Sequence, residues 1–237
     1  MRHILQFFYI IWQWFVALPV FILITLFTAI TTILFAHWRN SEWLHKIQQF
    51  WSRSFFYLLF IHVDISGTEN IRQGQSYVFV SNHQSMADVF LIYGWLPVIF
   101  KWIMKQELRK VPFVGSACAA AGHIFIERGR TRSAVSTIKK AEKTLQNGVC
   151  VVIFPEGTRS SDGKVGRFKR GAFSIAEDLQ LPLVPITLTG CYLLMPKGRY
   201  YACHCRVSMH IGKEVRLTDF PDQENAIEYL RQAVIRG

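Results

Sequence analysis

The chain has 237 residues, 27 Lys and Arg against 16 Asp and Glu, a formal net charge of +11, and 51% hydrophobic residues. That length suits one large domain or two small ones, and the apolar content excludes a disordered chain. No triplet glycine period or heptad run points to a fibre. Of its 34 aromatic residues (19 Phe, 8 Tyr, 7 Trp), 17 fall within residues 1–60, among them Trp12, Trp14, Trp38, Trp43 and Trp51.

From His3 to Trp38 there is no Lys, Arg, Asp or Glu. A cleaved signal peptide needs an apolar core of about 7–15 residues followed by a small-residue site. Ile4–Ala36 runs on past that length into His37-Trp38, so it reads as retained. As one straight helix it would reach roughly 50 Å, beyond the roughly 30 Å hydrocarbon core. It must tilt, bend or return, with Pro19 the expected bend point. A second helix is expected after Asn40 or Ser41. Its stripe is Trp43, Leu44, Ile47, Phe50, Trp51, Ser54, Phe55 and Leu58, with Lys46, Gln49 and Arg53 off it. Such a helix suits the bilayer interface, its Trp residues at headgroup level. Residues 1–60 are therefore expected to be membrane-anchoring helices. Arg39, Lys46 and Arg53 place the rest of the chain on the cytoplasmic side. Five cysteines, odd in number and without metal or disulfide spacing, fit reduced core thiols.

From residue 61 the texture changes to short β-branched runs alternating with helical stretches. Strands are expected at His62–Ser66, Tyr77–Ser81, Val98–Trp102, His123–Glu127, Val149–Phe154, Leu183–Thr189 and Arg206–Ile211. Helices are expected at Ser133–Leu145, Phe168–Leu179 and Gln223–Val234. The alternation predicts one α/β domain over 61–237, with a single, mostly parallel sheet of about seven strands flanked by helices.

Tyr77–Ser81 runs into Asn82-His83-Gln84-Ser85-Met86-Ala87-Asp88. The C-terminal end of a parallel strand is where open α/β sheets place their sites. On a regular helix a five-residue spacing leaves two side chains roughly 140° apart. His83 and Asp88 can therefore meet only if His83 sits on the turn before the helix and Asp88 reaches back. A carboxylate on one ring nitrogen would then leave the other free to take a proton. The alternative is a capping turn with His83 exposed. After Val149–Phe154 comes Pro155-Glu156-Gly157-Thr158-Arg159-Ser160, a tight turn expected at the same sheet edge. A phosphate-loop reading fails, because Gly157 to Gly163 is one residue too long and Val165 stands where Ser or Thr is needed. No G-x-S-x-G elbow occurs.

With these blocks the sequence resembles the glycerolipid acyltransferase family, most closely the bacterial kind of 1-acyl-sn-glycerol-3-phosphate acyltransferase. Four stretches carry the likeness over roughly residues 60–215. They are Asn82-His83-Gln84-Ser85 with Asp88 (H-x4-D), Gly122-His123-Ile124-Phe125-Ile126-Glu127-Arg128, Phe154 to Ser160, and Val184-Pro185-Ile186. Glu127 departs from the Asp that many members carry. The resemblance implies acyl transfer from a thioester, acyl-CoA or acyl-carrier protein, to the sn-2 hydroxyl of a 1-acyl-glycerol-3-phosphate. It implies no metal and no cofactor beyond that co-substrate, and an inner-membrane location with the catalytic domain facing the cytoplasm. His83 and Asp88 would be catalytic, and Glu156, Gly157 and Arg159 would bind the acceptor. Arg128 and Lys105 are the next cations expected on its phosphate. They belong to two dense basic stretches, Lys101 to Arg132 and Arg159 to Arg170. The oxyanion donors are expected among backbone N–H groups after His83 or around Gly157. Rival readings are acylation of another lyso-lipid, such as a lyso-ornithine lipid, or of glycerol-3-phosphate, and a non-catalytic lipid-binding protein. A nucleic-acid partner is not expected, since the aromatics avoid the basic stretches and no binding module is present.

Overall fold

The computed structural model describes residues 2–126, 145 and 148–237. Helix α1 (Arg2–Trp12) passes through a π-helical turn over Gln13–Ala17 into α2 (Leu18–Leu34). In that turn the Leu18 N–H reaches back five residues to the Gln13 carbonyl. Pro19, in the first turn of α2, has no N–H to give. The irregularity thus lies just ahead of Pro19, not at it. Ile4–Leu34 forms one helix long and apolar enough to cross a membrane. Phe8, Phe15, Leu23, Phe27 and Leu34 are exposed along it.

Helix α3 (Glu42–Leu58) starts where the sequence suggests, though the Ser41 hydroxyl donates to the Trp38 carbonyl and caps nothing. Its facing differs from expectation. Leu44, His45, Gln48, Ser52 and Phe56 are buried, while Trp43, Phe50 and Tyr57 are exposed. The reason is polar pairing. On one side, Gln48 and Trp51 donate to Thr32 and Thr25 of α2. On the other, Ser52, Arg53 and Gln49 donate to the carbonyls of Phe90, Gly94 and Leu96, in and just after α4 (Ala87–Trp95). Helix α3 is therefore packed between α2 and α4, and Phe56 and Leu59 share a core with Phe79, Phe100 and Val152 of the sheet.

Seven strands form that sheet: β1 (Val63–Ser66), β2 (Val78–Ser81), β3 (Phe100–Lys105), β4 (Ile124–Ile126), β5 (Cys150–Ile153), β6 (Leu183–Thr189) and β7 (Val207–Ile211). Their order is β1-β7-β6-β2-β5-β3-β4, and every pair is parallel except β6 with β7. Strand β3 begins two residues later than expected, because Phe100 is the residue that pairs with Cys150. Central β2 is buried along its whole length. Phe79 faces one core, while Val78 and Val80 face a second built with Val151, Ile153, Leu183 and Leu230.

Two short helices, α5 (Val114–Ala120) and α7 (Cys191–Leu194), carry too few residues to show a period in sequence. Helix α6 (Ser174–Asp178) is shorter than the expected Phe168–Leu179, since the Lys169 N–H is held by the Pro155 carbonyl before the helix can start. Helix α8 (Gln223–Arg236) is capped by Asp222, which accepts from the Asn225 N–H. The helix expected over 133–145 lies, apart from Leu145, outside the described residues.

Candidate active site

Strand β2 delivers the chain to the sheet's C-terminal edge, and residues 82–86 turn before α4 begins at Ala87. The Asn82 side-chain amide holds that turn to β6, donating to the Leu188 carbonyl (2.9 Å) and accepting from its N–H (2.9 Å). It thereby imitates one more residue of the ladder. Asp88, in the first turn of α4 and fully buried, reaches back. Its Oδ2 accepts from His83 Nδ1 (2.9 Å), Gln84 N (2.5 Å) and Ser85 N (2.7 Å). The pair expected from the spacing thus meets, with His83 on the turn and Asp88 on the helix. A carboxylate at Nδ1 assigns the proton to that nitrogen and leaves Nε2 as the acceptor. The imidazole plane is set by Phe154, stacked on it at 4.0 Å and 10°, and Phe154 stacks in turn on Trp102 at 5.3 Å.

Strand β5 brings Phe154 to Ser160 to the same edge. The turn closes with the Gly157 N–H on the Phe154 carbonyl (3.0 Å). Gly157 has φ +76°, and a Cβ there would lie 2.9 Å from Lys169 Nζ, so a side chain would be strained and crowded. Glu156 is buried beneath the turn. Its Oε1 accepts from the His83 N–H (2.7 Å) and its Oε2 from the Gly166 N–H (2.8 Å). Burial pushes its carboxyl pKa up, with the two N–H groups working against that shift. The Ser160 N–H donates to the His83 carbonyl (2.8 Å), and Gln84 Nε2 donates to the Gly163 carbonyl (2.6 Å). Both backbone polar groups of His83 are therefore held by the neighbouring loop.

The structure brings His83, Asp88 and Glu156 into one hydrogen-bonded unit, with Gly157 in the turn beside them. Arg159, half-buried, lies one residue before the Ser160 link to His83, and among the described residues no carboxylate pairs with it. Lys105, at the exposed end of β3, pairs with Glu107 at 2.9 Å. Arg128 lies outside the described residues. Three contacts bear on the expected residues. Both Glu156 oxygens accept from backbone donors, which ties the two loops together. Lys101, counted with the phosphate-facing cations, is buried, and its ammonium donates to the Arg39 and Ala121 carbonyls at 3.0 and 2.7 Å. Burial, with the Arg39 charge, lowers its pKa to about 7. The amides of Gln84, Ser85, Ala87 and Gly157 already have acceptors, so these four are not free oxyanion donors. Two contributors were not foreseen. Phe154 had a signal, an aromatic at the end of a strand beside β2. Ser85 donates to the Met195 carbonyl (2.6 Å); its place in the His83 block is a signal, but its distant partner is not.

The acyltransferase family model matches residues 62–189. The chain belongs to that family. It is 38% identical over 167 residues to a chloroplastic 1-acyl-sn-glycerol-3-phosphate acyltransferase of Brassica napus, covering 70% of this chain and 48% of the relative. With the alpha form of that enzyme from Homo sapiens it shares 39% over 154 residues, covering 64% and 54% respectively. The chain spans about half the length of these curated relatives. Its fold superimposes on the crystal structure of the Thermotoga maritima 1-acyl-sn-glycerophosphate acyltransferase PlsC with a TM-score of 0.82. That match has 31% identity and covers 100% of this chain and 96% of the other. The family-matched segment holds β1 to β6 and both turns of the site, His83 to Asp88 and Phe154 to Ser160.

Proposed function

We propose that this acyltransferase-family chain moves a fatty acyl group from acyl-CoA or acyl-carrier protein to the sn-2 hydroxyl of 1-acyl-sn-glycerol-3-phosphate, giving phosphatidic acid. The observation that carries this reading is the imidazole of His83, held at Nδ1 by buried Asp88 with Nε2 left to accept a proton. Nε2 takes the hydroxyl proton as the acceptor oxygen attacks the thioester carbonyl. The C–O bond forms, the C–S bond breaks, and the imidazolium returns the proton to the departing thiolate. Asp88 stabilises the imidazolium between those steps. General-base work of this kind contributes about 10²–10⁴-fold, and alignment supplies much of the rest. No step requires a metal, a cofactor or a covalent enzyme intermediate.

Glu156 aligns His83 through its backbone and does not touch the acceptor in this reading. Arg159 grips the acceptor phosphate, with Lys105 and Arg128 as further cations. Lys105 can exchange Glu107 for phosphate cheaply, since an exposed ion pair contributes little. An apolar cavity nearby is the space proposed for an acyl chain. It holds about 230 Å³ and lies between the N-terminal helix, the end of α3 and residues 195–202, with Phe21, Phe55, Leu58 and Met195 on its walls. The exposed apolar helix Ile4–Leu34 supports seating in the bilayer, and Arg39, Lys46 and Arg53 behind it support a cytoplasmic catalytic face at the inner membrane.

The test is mass-spectrometric product analysis of the purified protein with a panel of acceptors. The panel holds 1-acyl-glycerol-3-phosphate, a lyso-ornithine lipid and glycerol-3-phosphate, each with acyl-CoA and with acyl-carrier protein. Phosphatidic acid as the main product is expected. Acylation confined to another acceptor, or lipid binding without turnover, overturns the reading.

A further inference from the structure

We propose that Gln13 is a positioning residue that sets the height of the catalytic turn relative to the bilayer. This rests on the acyltransferase function proposed for the chain and concerns a residue on the wall of the apolar cavity, not one of the reacting groups. Gln13 is an uncharged but strongly polar residue in the middle of an apolar helix, where an unpaired amide is costly. It is buried, and both ends of its amide are used on one residue. Nε2 donates to the Ala202 carbonyl (2.9 Å), and Oε1 accepts from the Ala202 N–H (2.7 Å). Ala202 is itself buried, so this clamp replaces water for both of its backbone groups.

The local helix geometry serves the clamp. The π-helical turn buries Gln13 and Ala17 together while Trp14 and Phe15 face outward. Turns of this kind recur at functional positions within helices. Beyond the clamp, residues 195–202 form a strap closed at its base by the Cys203 N–H on the Leu194 carbonyl (2.8 Å). The strap's other end lies on the catalytic turn. Pro196 bridges Ser85 in antiparallel fashion, and Ser85 Oγ donates to the Met195 carbonyl. The Ser85 N–H in turn donates to Asp88 Oδ2. Trp12 and Tyr9 tie the same helix to the carbonyls of Leu58 and Leu59 at the end of α3, but neither reaches the strap. Among the described residues Gln13 is the polar link from the helix to the strap. A catalytic turn whose acceptor arrives in a bilayer must sit at a set depth, and this link connects the bilayer-seated helix to it.

The experiment compares wild type, Gln13→Leu and Gln13→Glu on phosphatidylethanolamine/phosphatidylglycerol vesicles in excess, so that all protein is bound. Each is assayed with 1-oleoyl-glycerol-3-phosphate in the vesicle and with water-soluble 1-hexanoyl-glycerol-3-phosphate, using one acyl donor. The ratio of the two rates is expected to fall about tenfold or more in Gln13→Leu, the scale of a small misplacement. At about pH 6 a buried, protonated Gln13→Glu carboxyl keeps one donor and one acceptor, and it should restore the ratio. Rates that fall together, an unchanged ratio, or no restoration by glutamate overturns the proposal. Hydrogen exchange of residues 195–203 reads the clamp without substrate and should quicken in Gln13→Leu; unchanged exchange also overturns it. A wild type that acylates neither acceptor overturns the functional reading instead.

Discussion

Residues 82–88 and residues 4–34 treat their polar groups in opposite ways. In the turn that carries His83, side chains and backbone of several elements converge. One oxygen of Asp88 takes three donors, Glu156 bridges two loops, and Asn82 extends the sheet ladder. In the long helix the backbone satisfies itself, large apolar side chains face outward, and a few polar groups reach the rest of the molecule. The first region gains its geometry from many short-range bonds in a dry interior, where each unmade bond is expensive. In the proposed reading the second gains its place from the bilayer around it. A substitution in the turn should therefore change chemistry at constant location, and one on the helix should change location at constant chemistry.

His83→Ala breaks the comparison hardest on the chemical side. Loss of the base is expected to lower the acyl-transfer rate by about 10²–10⁴-fold, read from initial rates, with vesicle binding and thermal unfolding close to wild type. Turnover within a few-fold of wild type would remove His83 from the mechanism.

On the helix the matching change is Leu23→Arg with Phe27→Arg. These exposed residues are four apart and so lie on one face. Each arginine at a helix centre is unfavourable by about 2.5–3.5 kcal/mol, so vesicle affinity should drop by about a thousandfold or more. Co-sedimentation measures it, and the rate on a water-soluble acceptor should hold. Undiminished vesicle binding would show that this face does not meet lipid. Deleting residues 1–60 outright is a poorer test, because Leu44 and Phe56 of α3 are core residues.

Between these extremes stands Arg159, the cation proposed to grip the acceptor phosphate. Arg159→Ala should raise the acceptor KM by roughly tenfold to a hundredfold, the worth of a charge-assisted bidentate contact, with kcat changed far less. Arg159→Lys should recover only part of that loss, because an ammonium lacks the planar fork. A fall in kcat at constant KM would move Arg159 from binding phosphate to the reacting centre.

Legible and hidden features of the sequence also divide along this line. The seven strands are legible as short β-branched or alternating runs, nearly continuous and apolar in β2 and β5, and the His83–Asp88 pair because both partners lie at the junction of one strand and one helix. The order of blocks along the chain was enough to bring 82–88 and 154–160 to one sheet edge. Hidden were contacts chosen by residues distant in sequence. The inward turn of α3 depends on Thr25, Thr32 and the α4 carbonyls, the burial of Lys101 on Arg39 and Ala121, and the Gln13 clamp on a partner 189 residues away. Composition marked Lys101 as one more surface cation; only the register of β3 reveals it as an interior one.

That interior cation has two histidine neighbours, and together they give the smallest expected effect. Burial, then the Lys101 charge, lowers the His123 pKa from 6.5 to about 3 and that of His45 from 6.5 to about 4. In an unfolded chain both would bind protons near their ordinary value, so between pH 6.5 and about 4 the unfolded state holds more protons than the folded one. Stability from these groups is fully present above pH 6.5 and is lost as pH falls toward the folded values. Lys101 acts with the same sign at higher pH, adding stability as pH rises from about 7 toward 10.5. His45 is the one to remove: among the described residues its Nε2 has no hydrogen-bond partner, its ring already lies against Tyr93 and Phe100, and the one contact given up is the bond to the Val98 backbone. His45→Phe should leave Tm at neutral pH near wild type and reduce the acid-side fall by a few degrees, followed by circular dichroism across the window. The carboxylates that also destabilise the protein in acid are common to both chains and cancel in that difference. Equal acid slopes in the two proteins would mean that His45 takes up its proton in the folded state as readily as in the unfolded one, and that the pocket beside Lys101 is open to water.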